Sequence, residues 1–290
     1  MNKNFKLKVS RLHNFINLYR ILFRNFLFNR SKSFYKYNKP IFGNIFDYIT
    51  FEILIDDIYE KAELELLEKW LVEYGKFSKK DYLVNIIDVG ANIGNHSRFF
   101  SKIAKSVIAI EAHPLTYKLL ELNSSDYDNI KTINMGVSNK METLFMDKLG
   151  SNIGGISLQT KKTKYEVRCD TIDKIINNLG VISLLKIDVE GYEFKVIEGA
   201  EKLIKKDNPI ICFEQQSDEV MDGTTKSIQL LKKYGYNNFL YFEKEISFTN
   251  SNMFINIFKY VKCLIFGNNY QLIYFEKLPK RYHSLIIAHK

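Results

Sequence analysis

Residues Asn85–Asn95 read NIIDVGANIGN, an apolar run that closes in a glycine-bearing loop and opens into a helical pattern. Gly90 and Gly94 let the backbone turn tightly and approach a ligand, and the N-terminus of the following helix offers free N–H groups to an anionic group. The next apolar run, Ser106–Glu111, ends in an acid 21 residues after Gly90. An acid at that place can accept hydrogen bonds from two ribose hydroxyls. Loop and acid together predict a nucleoside cofactor.

The spacing narrows the choice. Dinucleotide enzymes carry GxGxxG, whereas Gly90-Ala91-Asn92-Ile93-Gly94 is GxxxG with Asp88 before it. An acid in that position suits the ammonium of S-adenosylmethionine better than it suits a pyrophosphate. Asp88, Gly90, Gly94 and Glu111 are therefore the first cofactor-binding candidates.

Outward from this loop, short apolar runs alternate with helical patterns at Val84–Val89, Ser106–Glu111, Lys131–Met135, Leu184–Val189 and Pro209–Glu214. Continuous apolar strands separated by helices predict a parallel sheet covered on both faces, a doubly wound α/β domain. Closing strands are expected near Phe239–Phe242 and Ser284–Ala288. Tyr59–Tyr74 has the periodicity of a lead-in helix, placed within 56–76. Between the closing strands, at about 250–267, Phe254, Ile257, Phe258, Val261, Leu264 and Ile265 predict an inserted apolar helix: a lid over the acceptor, a membrane-facing element or a helix packed on the domain.

Charge divides the chain at residue 50. Ten Lys or Arg and no Asp or Glu lie between Met1 and Phe46, leaving 32 basic against 33 acidic residues in the rest. Residues 1–50 read as a basic extension and 51–290 as the catalytic domain, whose near-neutral charge gives no footprint for a nucleic-acid backbone. Within the extension, Leu12, Phe15, Ile16, Tyr19, Leu22, Phe23 and Phe26 gather on one helical face, with Arg20 and Arg24 opposite. That pattern suits contact with an anionic membrane surface or packing on the domain; it is too interrupted for a membrane span or a signal peptide. Cys169, Cys212 and Cys263 are odd in number and unpaired in spacing, as in a reducing cytosol. The expected location is cytoplasmic, with peripheral contact at the inner face of the membrane.

A second stretch, Leu184–Glu193 (LLKIDVEGYE), holds chemistry that packing does not require. Lys186 lies within an apolar strand, and the two-residue period puts Asp188 on its face, at the strand's carboxyl end. Asp188, Glu190 and Lys186 are the catalytic candidates. Glu193 fits a helix start, and Glu214 ends the neighbouring strand on the same rim. Such acids could supply a general base, hold a cation such as Mg²⁺ through Asp188 and Glu214, or orient substrate hydroxyls. His96, in the first turn after the loop, could also reach the cleft or lie on the helix surface.

These motifs carry a resemblance. IIDVGANIG, the turn Ile110-Glu111-Ala112-His113-Pro114, NMGVSN at Asn134, SNIGG at Ser151, the DTID turn, and LKIDVEGYE followed by Val196-Ile197-Glu198-Gly199-Ala200 resemble the FkbM family of methyltransferases over about Tyr59–Glu214. The resemblance implies a class I methyltransferase fold, a Rossmann-like, mostly parallel seven-stranded sheet. It implies S-adenosylmethionine at Asp88, Gly90, Ala91, Asn92, Gly94, Asn95, Glu111, Ala112 and Gly136. The implied reaction is O-methylation of a sugar hydroxyl in a surface glycan, glycolipid or related metabolite. RNA methylation and a non-catalytic cofactor-binding scaffold remain alternatives. The four prolines, at 40, 114, 209 and 279, form neither a Pro-Pro-aromatic nor a Pro-Cys motif, which argues against DNA base methylation.

Overall fold

The computed structural model describes residue 22 and residues 40–44, 47–74, 84–147, 157–176, 180–244, 253–267 and 269–290. The amphipathic segment expected from Leu12 to Phe26 lies outside these apart from Leu22, as does SNIGG at Ser151. Helices α1 (Tyr48–Asp56) and α2 (Lys61–Glu73) lead into β1 (Asn85–Val89), α3 (Asn95–Phe100), β2 (Ser106–Glu111), α4 (Pro114–Ser124) and β3 (Ile130–Asn134). Strands β4 (Gly136–Val137), β5 (Glu142–Met146) and β6 (Tyr165–Asp170) precede α5 (Ile172–Ile175) and β7 (Ile182–Ile187). Then come α6 (Glu193–Gly199), α7 (Glu201–Asp207), β8 (Ile210–Gln215), α8 (Lys226–Lys233) and β9 (Asn238–Lys244). The last elements are α9 (Met253–Phe266), β10 (Tyr270–Tyr274) and β11 (His283–His289).

The main sheet runs β10-β9-β11-β8-β7-β1-β2-β3. Strands β3, β2, β1, β7 and β8 are parallel, and β11 lies antiparallel between β8 and β9. The doubly wound sheet is therefore as expected, and β10 adds an eighth strand on the edge of β9. Order reverses between β1 and β7, so the ligand crevice opens at their carboxyl ends.

Strand alternation builds the two cores. Ile87, Val89, Leu185, Ile187, Ile211 and Phe213 pack on one face against Val196, Ile197, Ile204 and Leu231 from α6, α7 and α8. Their neighbours Ile86, Leu184, Ile210 and Cys212 pack on the other against Leu64, Leu67 and Leu71 of α2 and Phe99 and Phe100 of α3. Each such side chain contributes about 1.5–3 kcal/mol when removed from water. Asp88 and Lys186 share the α2–α3 face with Ile86 and Leu184, which places two charges inside an apolar layer.

The lead-in region is two helices with a sharp corner. Asp47 caps α1, its carboxylate accepting the Thr50 N–H at 3.1 Å. Asp57 and Glu60 both adopt left-handed backbone, with φ of 69° and 56°, which stops α1 and delays α2 to Lys61. Asn95 clasps the corner: its Oδ1 accepts the Tyr59 N–H at 3.1 Å and its Nδ2 donates to the Tyr59 carbonyl at 2.9 Å.

Candidate active site

Gly90 follows β1 with φ +76°, and a Cβ there would collide with the Asp188 carbonyl oxygen. The absence of a side chain thus lets the β1 and β7 ends lie against each other. Above them opens a cavity of about 300 Å³, lined by Gly90, Asn92, Glu111, Ala112, Asp188, Glu190 and Glu214 together with apolar walls from Ile110, Met135, Val137, Met146 and Leu158. Tyr48, Tyr59, Glu60 and Tyr282 close its far side.

Glu111 is held by two loop ends. One oxygen accepts the Asn92 N–H at 2.9 Å and the other the His113 N–H at 2.8 Å. Burial pushes its carboxyl up to about 7 against those two donors. His113 caps α4, its Nδ1 accepting from Leu115 N–H at 3.3 Å, which leaves Nε2–H to donate to the Asp147 carbonyl at 3.1 Å. Burial lowers its pKa, consistent with that neutral tautomer.

The catalytic rim rests on Lys186. Its ammonium lies 3.1 Å from Asp88 and 3.2 Å from Asp188. Burial alone would discharge it, and the two carboxylates reverse that and hold its pKa above the ordinary range. Burial likewise pushes Asp188 up, but Lys186 and a hydrogen bond from Glu214 prevail and keep the Asp188 carboxyl below its usual value. Glu214 takes the opposite state: burial, then the charge of Asp188 and the hydrogen bond between them, push it up to about 10. Glu190, in left-handed backbone at φ 52°, is raised by burial and by Asp188. Oxygens of Asp188, Glu190 and Glu214 all lie within 4.8 Å of one another, a spacing that can hold a divalent cation.

Several expected residues do not reach the cavity. Asp88 is fully buried beneath the loop, accepting from Ser97 Oγ at 2.6 Å, so it meets Lys186 and not a ligand's ammonium. Lys186 is an anchor: without it Asp88 would be an uncompensated buried charge, at a cost of about 3–5 kcal/mol. Ala91 packs with Ala109 and Leu120. Gly94 starts α3 at φ +93°, and Asn95 holds the Tyr59 corner. A Cβ on Gly136 would strike Cys169 Sγ, so this glycine serves contact between β4 and β6. Glu193 is buried and accepts the Val189 and Gly191 N–H groups at 3.2 Å each, stapling the loop after β7.

Other residues enter unannounced by any motif. Tyr48 comes from the start of α1, Tyr59 and Glu60 from the α1–α2 corner and Tyr282 from the approach to β11, where their side chains carry no local pattern. His96 turns inward, with Nε2 3.2 Å from Glu60 and its ring stacked 6.5 Å from Tyr59. Of the two placements expected for His96, the inward one is found, against Glu60 and Tyr59.

The donor set suits S-adenosylmethionine. Asn92 Oδ1 is buried without a hydrogen-bond partner among the described residues, free to accept from a ligand. Glu111 has lone pairs left for ribose hydroxyls, and the five apolar walls suit a purine ring.

No curated protein sequence matches the chain. Among solved structures, the FkbM methyltransferase of Methylobacillus flagellatus is similar at 14% identity and TM-score 0.41, over 71% of this chain and 43% of that one. This chain thus spans less than half the length of that relative. A precorrin-6y C5,15-methyltransferase from Geobacter metallireducens aligns at 12% identity and TM-score 0.40, over 71% of this chain and 81% of that one. The Bacillus cereus O-methyltransferase in complex with SAH aligns at 11% identity and TM-score 0.40, over 79% and 80%. The Methyltransferase FkbM domain matches residues 88–237, more than half of the chain and the segment that carries Glu111, Asp188, Glu190 and Glu214. The chain belongs to the FkbM-domain family of methyltransferases.

Proposed function

We propose that the chain is an S-adenosylmethionine-dependent O-methyltransferase acting on a hydroxyl of a sugar in a surface glycan, glycolipid or related metabolite. The observation that carries this reading is the shared cavity in which Glu111, at the end of β2, faces the carboxylates of Asp188, Glu190 and Glu214. When bound, the cofactor supplies an electrophilic sulfonium methyl. The chain's own part is alignment, water exclusion and removal of one proton. Glu111 and Asn92 would hold the nucleoside, and the rim acids would face the acceptor. An alcohol oxygen becomes strongly acidic as it gains a methyl group, so even a carboxylate as weakly basic as Asp188 can take its proton late in the transfer. Glu214, already protonated, hydrogen-bonds to Asp188 and fixes its orientation.

The test is calorimetry with S-adenosylmethionine, S-adenosylhomocysteine and NAD, followed by methyl-labelled cofactor offered to glycans, glycolipids and RNA. Binding of the first two, with NAD silent, is expected, and Glu111→Ala should weaken it by about 1–3 kcal/mol. Preferential NAD binding, or label in RNA alone, would sink the reading.

We further infer that the protein works at an anionic membrane surface. Ile257, Phe258, Val261 and Ile265 of α9 are exposed on one helical side, and Lys259 and Lys262 are the only charges on that helix. None of the described helices is long and apolar enough to cross a membrane.

A further inference from the structure

The active-site cavity does not end at Tyr59 and Glu60. A second, open groove of about 800 Å³ runs outward from it and shares Tyr48, Tyr59, Glu60 and Tyr282 with it. Its volume is far larger than a single reacting hydroxyl needs and reaches the upper range of small-molecule sites. All residues lining this groove lie outside 88–237, the segment that the family shares. What the groove selects is thus supplied by the α1–α2 corner, β9, β10 and the approach to β11.

Its chemistry is specific in two respects. The first is aromatic: Tyr48, Tyr270 and Tyr282 present 58, 40 and 50% of their surface to solvent, and Tyr270 is stacked on Phe242 at 5.8 Å and 17°. Flat, exposed rings with a polar edge are platforms for the apolar faces of pyranose rings. The second is charge. Arg281 is committed to Glu243 through both terminal guanidinium nitrogens, Nη1 and Nη2, and Lys244 lies 3.7 Å from Glu63. Glu52, Glu60 and Glu65 then face Lys61. Among the described lining residues, even with Glu63 protonated, as burial and its pKa of about 8 allow, the acids still outnumber the cations left without an acid partner. His283, lowered by burial, adds no charge.

Acidic glycans, phosphorylated carriers and nucleic acids would all meet like charge along this groove, which costs affinity. We propose that the groove binds an uncharged oligosaccharide extending from the methylated sugar, with Tyr270 as an outer stacking platform and Glu60 as the carboxylate that positions the acceptor at the junction of the two cavities. This deepens the methyltransferase reading and rests on it. The reacting unit would sit against Asp188 and the rest of the chain would lie along Tyr282 and Tyr270. The enzyme therefore acts after sugar units have been joined.

The experiment offers methyl-labelled cofactor to cell-envelope glycans separated by anion exchange into neutral and acidic pools and by size into single sugars and longer chains, with total RNA alongside. Label should enter the neutral, longer pool. Tyr270→Ala should raise KM for that pool about 10-fold, the scale of one lost aromatic contact, while S-adenosylhomocysteine affinity stays unchanged. Tyr270→Phe, which keeps the ring, should restore the wild-type KM. Label chiefly in acidic glycans or RNA, equal use of single sugars, or an unchanged KM in Tyr270→Ala would overturn the assignment. So would absence of label from every pool while S-adenosylhomocysteine still binds. Loss of cofactor binding itself would instead remove the methyltransferase reading on which it stands.

Discussion

Glu214 shows how a single residue ties stability to the site. Burial first, then the neighbouring charge of Asp188, pushes its pKa up to about 10, so the folded chain keeps a proton that the unfolded chain loses near the ordinary carboxylate value. In that window the unfolded state binds fewer protons, and stability falls as pH rises from roughly 4.5 to roughly 10. Glu111 and Glu193, both raised by burial to about 7, add to the fall over the lower part of the window. Glu214→Gln keeps a donor for Asp188 and cannot ionise. Denaturant titrations at about pH 5, 7 and 9 should show a shallower loss of stability in this variant than in the wild type. Equal slopes would mean that Glu214 ionises normally in the folded chain. Asp188 makes the complementary case. Asp188→Asn leaves Lys186 paired with Asp88 and should retain cofactor binding, while turnover falls about 100-fold, the scale of losing a general base. Turnover near wild type would reduce Asp188 to a scaffold role.

At the scale of elements, the α1–α2 corner is where the fold makes the acceptor side. Asn95, on the first turn of α3, holds the Tyr59 backbone by two hydrogen bonds, and Tyr59 and Glu60 reach both cavities from there. Asn95→Ala should free this corner, raising KM for the acceptor several-fold and destabilising the fold by about 1–2 kcal/mol, with S-adenosylhomocysteine affinity unchanged. Weakened cofactor binding without an acceptor effect would return Asn95 to the cofactor loop. The sequence concealed this role because a strand–loop–helix motif directs attention to backbone N–H groups, while the partner of Asn95 is 36 residues earlier. The parallel strands were legible since burial on both faces makes them continuous apolar runs, as in Val107–Ile110 and Ile210–Phe213. Strands β5 and β6 were not: ETLFM and YEVRCD alternate, burying Leu144, Met146, Val167 and Cys169 on one side only. Strand β10 also escaped notice, being an exposed edge paired on one side with β9. Asp88 differs from its expectation for a related reason: a charge before a glycine loop reads as a ligand contact, while its partners Lys186 and Ser97 are set by tertiary structure.

At the scale of the whole molecule, charge is segregated along the chain. The acceptor groove carries an excess of acids, whereas residues 1–46 hold ten cations and no acid, and α9 carries only lysines beside its exposed apolar side chains. An anionic bilayer would attract the cations of the extension and accept Ile257, Phe258 and Ile265, and it would repel the acids of the groove. Each basic residue near such a surface contributes about 1 kcal/mol, and partial engagement of the extension would be sufficient for binding. Vesicle sedimentation at low salt should show the full chain on anionic but not neutral lipid, with release at high salt as screening shortens the reach of these charges. A chain starting at Tyr48 should lose most of this binding. Phe258→Asp with Ile265→Asp should weaken it further in the full chain, because both substitutions add charge where the helix would meet the acyl boundary. Equal binding to neutral vesicles, or none to either, would leave the basic extension and α9 to pack within the protein, and methyl transfer would then need no membrane.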